Sequence, residues 1–188
     1  MLATSKKKKM IEQIDKDITT QLEKIKEIGK DLKFQEVCKF QVKEKIEEIP
    51  WEDLKHQGLY LFEVKINSKY SDYSDWVNEF KLKWEDPKYI KSFTPNFKKK
   101  RIHAHSELKE WMPLYLGKSR NLRTRVKTHI FKELQKPTFA MKLLARENLK
   151  GETFRLSKIR LDVKNYDTIL PKVESQLREK INPLIGKQ

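Results

Sequence analysis

Apolar residues recur every three or four positions between Met10 and Leu32, a spacing typical of one face of an α-helix. The face consists of Ile11, Ile14, Ile18, Leu22, Ile25, Ile28 and Leu32. It is close to the a/d seam of a coiled coil over three heptads, so the helix is expected either to lie on its own domain or to pair with a second helix, in this chain or in a second subunit. A second apolar pattern leads to Pro50, and residues 1–50 are therefore predicted to form a helical arm.

Three later segments have the alternation and composition of β-strands. They run from Leu59 to Ile66, around Tyr115, and from Phe154 to Val163. Three helices are predicted between and after them. The first is capped by Ser119 or Asn121 and buries Leu122, Val126, Ile130 and Leu134. The second runs from Phe139 to Leu149, and the third opens at Pro171 and buries Val173, Leu177 and Ile181.

A long insertion, residues 67–110, separates the first two predicted strands. It is rich in aromatic residues, of which Trp76, Phe80 and Trp84 fall at helical spacing and are predicted to anchor the insertion to the core. Aromatic residues interleaved with basic ones can also stack on bases or contact a phosphate backbone. The basic run Lys98, Lys99, Lys100 and Arg101 is predicted to contact phosphates.

The charge of the chain indicates a polyanionic partner. The formal net charge is +15, with 42 basic and 27 acidic residues. Residues 112–188 alone carry 18 basic and 7 acidic residues, so most of the excess lies in the C-terminal part. Nucleic acid is the natural partner, because neutralisation of phosphates by such clusters supplies most sequence-independent affinity. A membrane surface fits poorly, because the excess does not lie on a terminal amphipathic helix.

The cysteine content and hydropathy point to a cytoplasmic protein. One cysteine, Cys38, excludes an intrachain disulfide and a cysteine-based zinc cluster, which fits a reducing compartment. The basic run at Lys6 to Lys9 is not followed by an apolar segment, so it is not a secretory signal. No stretch approaches the ~20 apolar residues that a membrane span needs.

Chemistry suited to a phosphate is concentrated around the second predicted strand. Arg125 and His129 lie four residues apart and so share a flank of one helix, close to the N-terminus of that helix and to Tyr115. The alternative is a solvated basic face. An upstream strand-like segment carries a second tyrosine, Tyr60, and a glycine lies near each tyrosine, at Gly58 and Gly117.

These residues resemble the motifs of the GIY-YIG nuclease superfamily. Gly58-Leu59-Tyr60 matches the first triplet and Tyr115-Leu116-Gly117 the second. The family continues with a small polar residue, Asn-Leu, an arginine, and a His or Tyr four residues further on, which are matched by Ser119, Asn121-Leu122, Arg125 and His129. A late glutamate followed by a proline is matched by Glu174 and Pro183. The chain departs from the family in its long insertion and in Gly186, where an asparagine is often found.

The resemblance implies the architecture. We expect an α/β (α+β) fold with a small, mainly antiparallel three-stranded sheet flanked by helices. The helical arm of residues 1–50 precedes a nuclease domain of residues 51–188, which contains the insertion 67–110.

The resemblance also implies the activity: metal-dependent hydrolysis of DNA phosphodiester bonds, most like the type II restriction endonucleases. Glu174 would hold Mg²⁺ or Mn²⁺, and Arg125 would stabilise the phosphate. The proton of the attacking water would go to Tyr60, His129 or Lys118, with Tyr115 nearby. Double-stranded DNA is the expected partner, contacted also by Arg120 and Arg123, and a homodimer would match a symmetric site. The alternatives are a structure-directed repair or mobile-element nuclease and an inactive DNA-binding protein.

Overall fold

The computed structural model describes residues 2–187, and it is a mixed α+β structure built on a four-stranded antiparallel sheet. The described residues contain five α-helices, which are α1 (Leu2–Asp31), α2 (Tyr73–Trp84), α3 (Lys99–Ile102), α4 (Leu122–Phe131) and α5 (Tyr166–Ile181). The strands of the main sheet are β1 (Gln35–Gln41), β2 (Gly58–Lys65), β4 (Trp111–Ser119) and β5 (Thr153–Arg160), in the order β1-β5-β2-β4. A two-stranded sheet pairs β3 (Asn96–Phe97) with β6 (Ile185–Gly186).

The fourth strand of the main sheet corrects the prediction of three strands and of an entirely helical arm. Residues 35–41 form β1, which pairs antiparallel with β5. The register shifts between Glu36 and Cys38, and such a bulge breaks the period of two in the sequence. Phe40 then packs on Phe154, with ring centroids 5.9 Å apart. The apolar spacing of three in this segment therefore comes from a bulged strand and not from a helix. This strand pairs along the outer edge of β5.

The alternation along β2 directs its side chains to opposite faces of the sheet. Tyr60, Phe62 and Val64 belong to the larger core with α2 and α4. Leu59 and Leu61 belong to a smaller core, to which α5 contributes Val173 and Leu177. Both faces of the strand are thus buried, and the strand carries the first tyrosine into the larger core.

The insertion is anchored to the body of the protein, as its aromatic spacing predicted. Trp76, Phe80 and Trp84 are all buried along α2. The Trp84 indole donates a hydrogen bond to the Pro95 carbonyl at 2.8 Å, and the Arg146 guanidinium stacks 4.0 Å from the centre of its ring. These contacts hold the insertion, so that α3 and β3 occupy a defined place next to the C-terminal strand β6.

The helix predicted from Phe139 to Leu149 is not formed; the segment contains two short 3₁₀ turns, Leu143–Ala145 and Glu147–Leu149.

Helix α5 begins earlier than the sequence suggested. It starts at Tyr166, so Pro171 is its sixth residue and not the first-turn residue that the sequence predicted. The predicted buried stripe is present in Val173 and Leu177, and Glu174 lies between them on the same helix. No helix of the described chain is long and apolar enough to cross a membrane.

Candidate active site

Next to strand β4 lies a pocket of about 340 Å³ whose walls come from distant parts of the sequence. We refer to it as the cationic pocket. Strand β4, helices α3, α4 and α5 and strand β6 all contribute to it. Its polar wall has five cations and one carboxylate, and the lining residues are Arg101, Tyr115, Leu116, Lys118, Arg125, Phe139, Glu174, Arg178, Gly186 and Lys187.

The start of helix α4 fixes Arg125 in the wall of the cationic pocket. Asn121, one of the two capping residues that the sequence offered, caps the helix by accepting a hydrogen bond from the Thr124 backbone N–H at 3.0 Å. Arg125 Nε donates to the phenol oxygen of Tyr60 at 3.2 Å, and Arg125 Nη2 donates to the Phe139 carbonyl at 2.8 Å. Two bonds in one plane hold the guanidinium at a fixed angle to the pocket.

His129 lies one turn further along α4 and is fully buried. Its Nδ1 accepts a hydrogen bond from the Met141 backbone N–H at 3.2 Å. Burial, with a smaller contribution from Arg125, lowers the pKa of His129 well below its usual range, so the ring is neutral. Its proton must then reside on Nε2, which donates to the Tyr60 phenol oxygen at 2.8 Å.

Tyr60 therefore accepts two hydrogen bonds on a single oxygen, from Arg125 and from His129. Its side chain is only 1% exposed and lies behind the wall of the pocket. Burial raises the pKa of Tyr60 well above its usual range, and Tyr115 raises it further, whereas Arg125 opposes both. Tyr60 is accordingly a neutral phenol, and the two bonds would stabilise its oxygen if the proton left.

Tyr115 connects this buried group to the pocket. Its ring stacks on Tyr60 at a centroid distance of 6.1 Å and contacts His129 at 4.6 Å. Burial raises the pKa of Tyr115 also, and Arg125 opposes that rise. Because Tyr115 lines the pocket and Tyr60 does not, a bound molecule meets Tyr115 and Arg125 first.

The packing of Tyr60 explains the glycine of the second triplet. A Cβ added at Gly117 would lie 2.4 Å from the Tyr60 phenol oxygen and 2.6 Å from Tyr60 Cζ. Tyr115 would also be approached, at 3.1 Å. Any side chain at position 117 would therefore displace Tyr60 from its two hydrogen-bond donors.

Glu174 is the one carboxylate of the cationic pocket, and both of its oxygens are paired. Lys118 Nζ lies 2.7 Å from Oε2, and Arg178 Nη2 lies 3.2 Å from Oε1. The Lys118 ammonium is thus directed at Glu174, and Arg125 rather than Lys118 is the cation bonded to Tyr60. Lys118 and Tyr60 lie on neighbouring strands, but Lys118 pairs with Glu174, whereas Tyr60 is bonded to Arg125 and His129.

Glu174 is the carboxylate that the pocket offers to a hard divalent cation. Mg²⁺ often keeps several waters and uses one or two carboxylates together with phosphate oxygens. Glu174 supplies one carboxylate in an open pocket, and Lys118 or Arg178 would have to release an oxygen to the ion. Within residues 2–187 there is no cluster of three or more His, Cys, Asp or Glu side chains that would hold a metal without a substrate.

Of the residues predicted to contact DNA, only Arg101 lies in the cationic pocket. Lys98 is half-buried at the start of α3, and Lys99 and Lys100 are exposed on that helix. Arg120 pairs with Asp167 at 2.6 Å, and Arg123 with Glu52 at 2.8 Å, so both contribute to exposed ion pairs outside the pocket.

Two cations of the pocket, Arg178 and Lys187, were not predicted from the sequence. Arg178 had a signal, because it follows Glu174 by four residues and so shares its helix flank. Lys187 had none, because it reaches the pocket only through the pairing of β6 with β3.

No protein-family model, characterised protein or solved structure matches this chain. The assignment of a function therefore depends on the residues and geometry of the cationic pocket.

Proposed function

We propose that the protein is a metal-dependent DNA endonuclease of the GIY-YIG type, and most closely a sequence-specific type II restriction enzyme. The observation that carries the proposal is that Tyr115, Arg125 and Glu174 line one pocket, while Tyr60 and His129 lie behind its wall in a hydrogen-bonded chain that ends at Arg125. These residues come from three separate parts of the sequence: β2, the consecutive elements β4 and α4, and α5. A solvated basic face would not place a histidine in the core with both ring nitrogens bonded.

The charge of the pocket favours a phosphodiester as the bound group. Five cations surround one carboxylate, and two of the cations are paired with that carboxylate. Arg101, Arg125 and Lys187 give the wall further positive charge. A phosphate with neighbouring phosphates on both sides matches such a surface better than a neutral substrate does.

Arg125 is the residue proposed to stabilise charge on the reacting phosphate. Its guanidinium lines the pocket and is already oriented by Tyr60 and Phe139, so little reorganisation is needed in the transition state. The planar fork of arginine supports this geometry, whereas a lysine would present a point charge on a flexible stem.

Tyr60 is the proposed acceptor of the proton of the attacking water. Tyr60 would take this proton as a phenolate: its own proton would first pass through the hydroxyl of Tyr115 to solvent in the pocket, and the proton of the water would return through the same hydroxyl. The phenolate oxygen would receive hydrogen bonds from both His129 and Arg125. His129 acts as a positioning residue in this scheme, because both its nitrogens are engaged within the core. Tyr115 separates Tyr60 from the pocket, so it is placed to orient the water.

Glu174 would hold Mg²⁺ or Mn²⁺, with Lys118 and Arg178 moving towards substrate phosphates. Such an ion polarises the phosphoryl oxygens and lowers the pKa of bound water. The paired state of Glu174 also favours a second candidate function, a DNA-binding protein without activity, in which the two ion pairs are never released. The two candidates differ in whether DNA is cut.

Digestion of a mixed-sequence plasmid with Mg²⁺ tests the proposal. Discrete fragments from the wild-type protein, lost in Glu174→Gln, would support a sequence-specific endonuclease, and a smear would support a structure-directed or non-specific one. Glu179→Gln is the matched control, because Glu179 lies on the same helix as Glu174 but is exposed and does not line the pocket. Intact plasmid with retained DNA binding would overturn the nuclease proposal in favour of the binding protein.

A further inference from the structure

The N-terminal part of helix α1 carries an apolar surface without a partner in the described chain. Every side chain from residue 5 to residue 21 is exposed, including Ile11 (67% exposed), Ile14 (54%) and Ile18 (50%). We call these three isoleucines the apolar stripe. Partial cover begins near the C-terminal end of the helix, where Ile25, and Leu32 just after the helix, pack with Val173 and Leu177 of α5.

The apolar stripe has the geometry of a helix-pairing seam. Its residues are spaced by three and four, which corresponds to positions a, d and a of a heptad. Helix α1 has 30 residues, so it is about 45 Å long and extends well beyond its contact with α5. Exposed apolar surface on such a helix is typical of an interaction site.

The charges next to the apolar stripe indicate which partner covers it. Lys6 to Lys9 precede the stripe, whereas residues 11–18 carry Glu12, Asp15 and Asp17 against Lys16 alone and are acidic overall. If a second copy of α1 packed antiparallel to the first, its acidic segment would lie against this basic segment. Two copies in parallel would instead place the four lysines of each chain side by side.

We propose that α1 pairs antiparallel with α1 of a second copy of this chain. In the register that we infer, Ile11 lies against Ile14 of the second copy, and Lys8 faces Asp15 of the second copy. Displacing one helix by a heptad would bring Asp15 opposite itself, which selects against that register. Ile18 then packs on the aliphatic stem of Lys7, whose ammonium can reach water.

Such a dimer carries two cationic pockets related by a twofold axis. The inference does not depend on the proposed function, because it rests on α1 and not on the pocket. If the nuclease proposal also holds, the dimer supplies one site for each strand of a symmetric sequence. Failure of the dimer test would leave the cleavage test unaffected.

Sedimentation velocity of the full chain over a range of concentrations tests the pairing. We expect a concentration-dependent dimer for the wild type and at least a tenfold weaker dimer for Ile14→Glu. The matched control is Leu82→Glu, because Leu82 is 76% exposed on α2 and should leave the dimer unchanged. A wild-type monomer at all concentrations, or equal weakening by both variants, would overturn the proposal.

Charge exchange and cross-linking test the direction of the pair. Lys8→Glu should weaken the dimer, and Lys8→Glu combined with Asp15→Lys should restore it. Under copper phenanthroline oxidation, a mixture of Lys7→Cys and Ile18→Cys proteins should form disulfide dimers, whereas neither should do so alone. Cys38 should form few disulfides in this experiment, because burial raises the pKa of its thiol to about 12. Disulfide dimers of Ile18→Cys alone, or no restoration by the double variant, would contradict the antiparallel arrangement.

Discussion

The phenol oxygen of Tyr60 and Nε2 of His129 are joined by a 2.8 Å hydrogen bond in the core, although the residues are 69 positions apart. The bond depends on a neutral imidazole whose other nitrogen is occupied by the Met141 backbone. Arg125 adds a second donor to the same phenol oxygen. The three side chains therefore form one unit, and a change in any of them alters the others.

Removal of the Tyr60 hydroxyl tests this unit. Tyr60→Phe keeps the ring but leaves His129 Nε2–H and Arg125 Nε–H without their acceptor. Buried donors without partners cost about 1–3 kcal/mol, so the free energy of unfolding should fall by that amount. Cleavage should be lost, with DNA affinity within threefold of wild type. Urea denaturation and a DNA-binding titration measure both, and unaltered cleavage would show that Tyr60 does not take the proton.

The buried histidine predicts how stability depends on pH. The pKa of His129 is lowered well below its unfolded value of about 6.5, so the unfolded state takes up a proton that the folded state does not. Stability should therefore be lost as the pH falls below about 6.5, with a slope of up to about 1.4 kcal/mol per pH unit. His105, whose pKa is also lowered by burial, adds to the slope.

Denaturation curves between pH 5 and 8 check this expectation. His129→Gln cannot take up the proton, so its stability should depend less on pH than that of the wild type. His105→Gln is the control, and it should reduce the pH dependence of stability by less than His129→Gln does. Equal slopes for wild type and His129→Gln would mean that His129 is not buried in the neutral form.

Gly117→Ala tests the close packing of Tyr60. The new methyl group would meet the Tyr60 ring at 2.4–2.6 Å, so Tyr60 must move away from Arg125 and His129. We expect a loss of about 1–3 kcal/mol in stability, as for other overpacked cores, and at least a hundredfold loss of cleavage. Gly29→Ala is the control. Its methyl group meets Val173 at ordinary contact distances and should stabilise α1 slightly. Full activity in Gly117→Ala would contradict the geometry.

The sequence predicted those parts of the fold that depend on local pattern. Strand β2, helix α4 and its Asn121 cap follow from alternation, from a period of four and from one capping side chain. Trp76, Phe80 and Trp84 were placed in the core by their spacing alone. Strand β1 was missed, because its bulge at Glu36 and Cys38 imitates helical spacing and its partner β5 is more than 100 residues away.

The candidate site was less accessible from sequence, because it depends on long-range packing. Nothing local shows that His129 is fully buried or that Lys118 pairs with Glu174 from α5. From the sequence, Arg101 was predicted only to belong to a basic run that contacts DNA. The fold of the insertion shows that it lines the same pocket as Arg125. The motif residues could thus be listed, but their contacts could not.

A partly buried ion pair joins two strands of the central sheet. Arg155 Nε and Nη2 donate to the two oxygens of Glu63 at 2.6 and 2.7 Å, joining β5 to β2. Glu63→Gln should lower the free energy of unfolding by about 2 kcal/mol, less than for a fully buried pair because Arg155 is partly exposed. Glu47→Gln, which breaks an exposed pair with Lys45, should have no measurable effect. Equal effects in urea denaturation would contradict this assignment.

Strand scission by wild type and Arg125→Lys, at matched DNA occupancy, tests whether the cationic pocket cleaves DNA. Arg125→Lys keeps the charge but loses the planar contacts with Tyr60 and Phe139. We expect Mg²⁺-dependent breaks by the wild type, none with EDTA, and at least a hundredfold slower breaks by the variant. Equal rates for the two proteins, or scission that persists in EDTA, would show that the cationic pocket does not carry out metal-dependent cleavage.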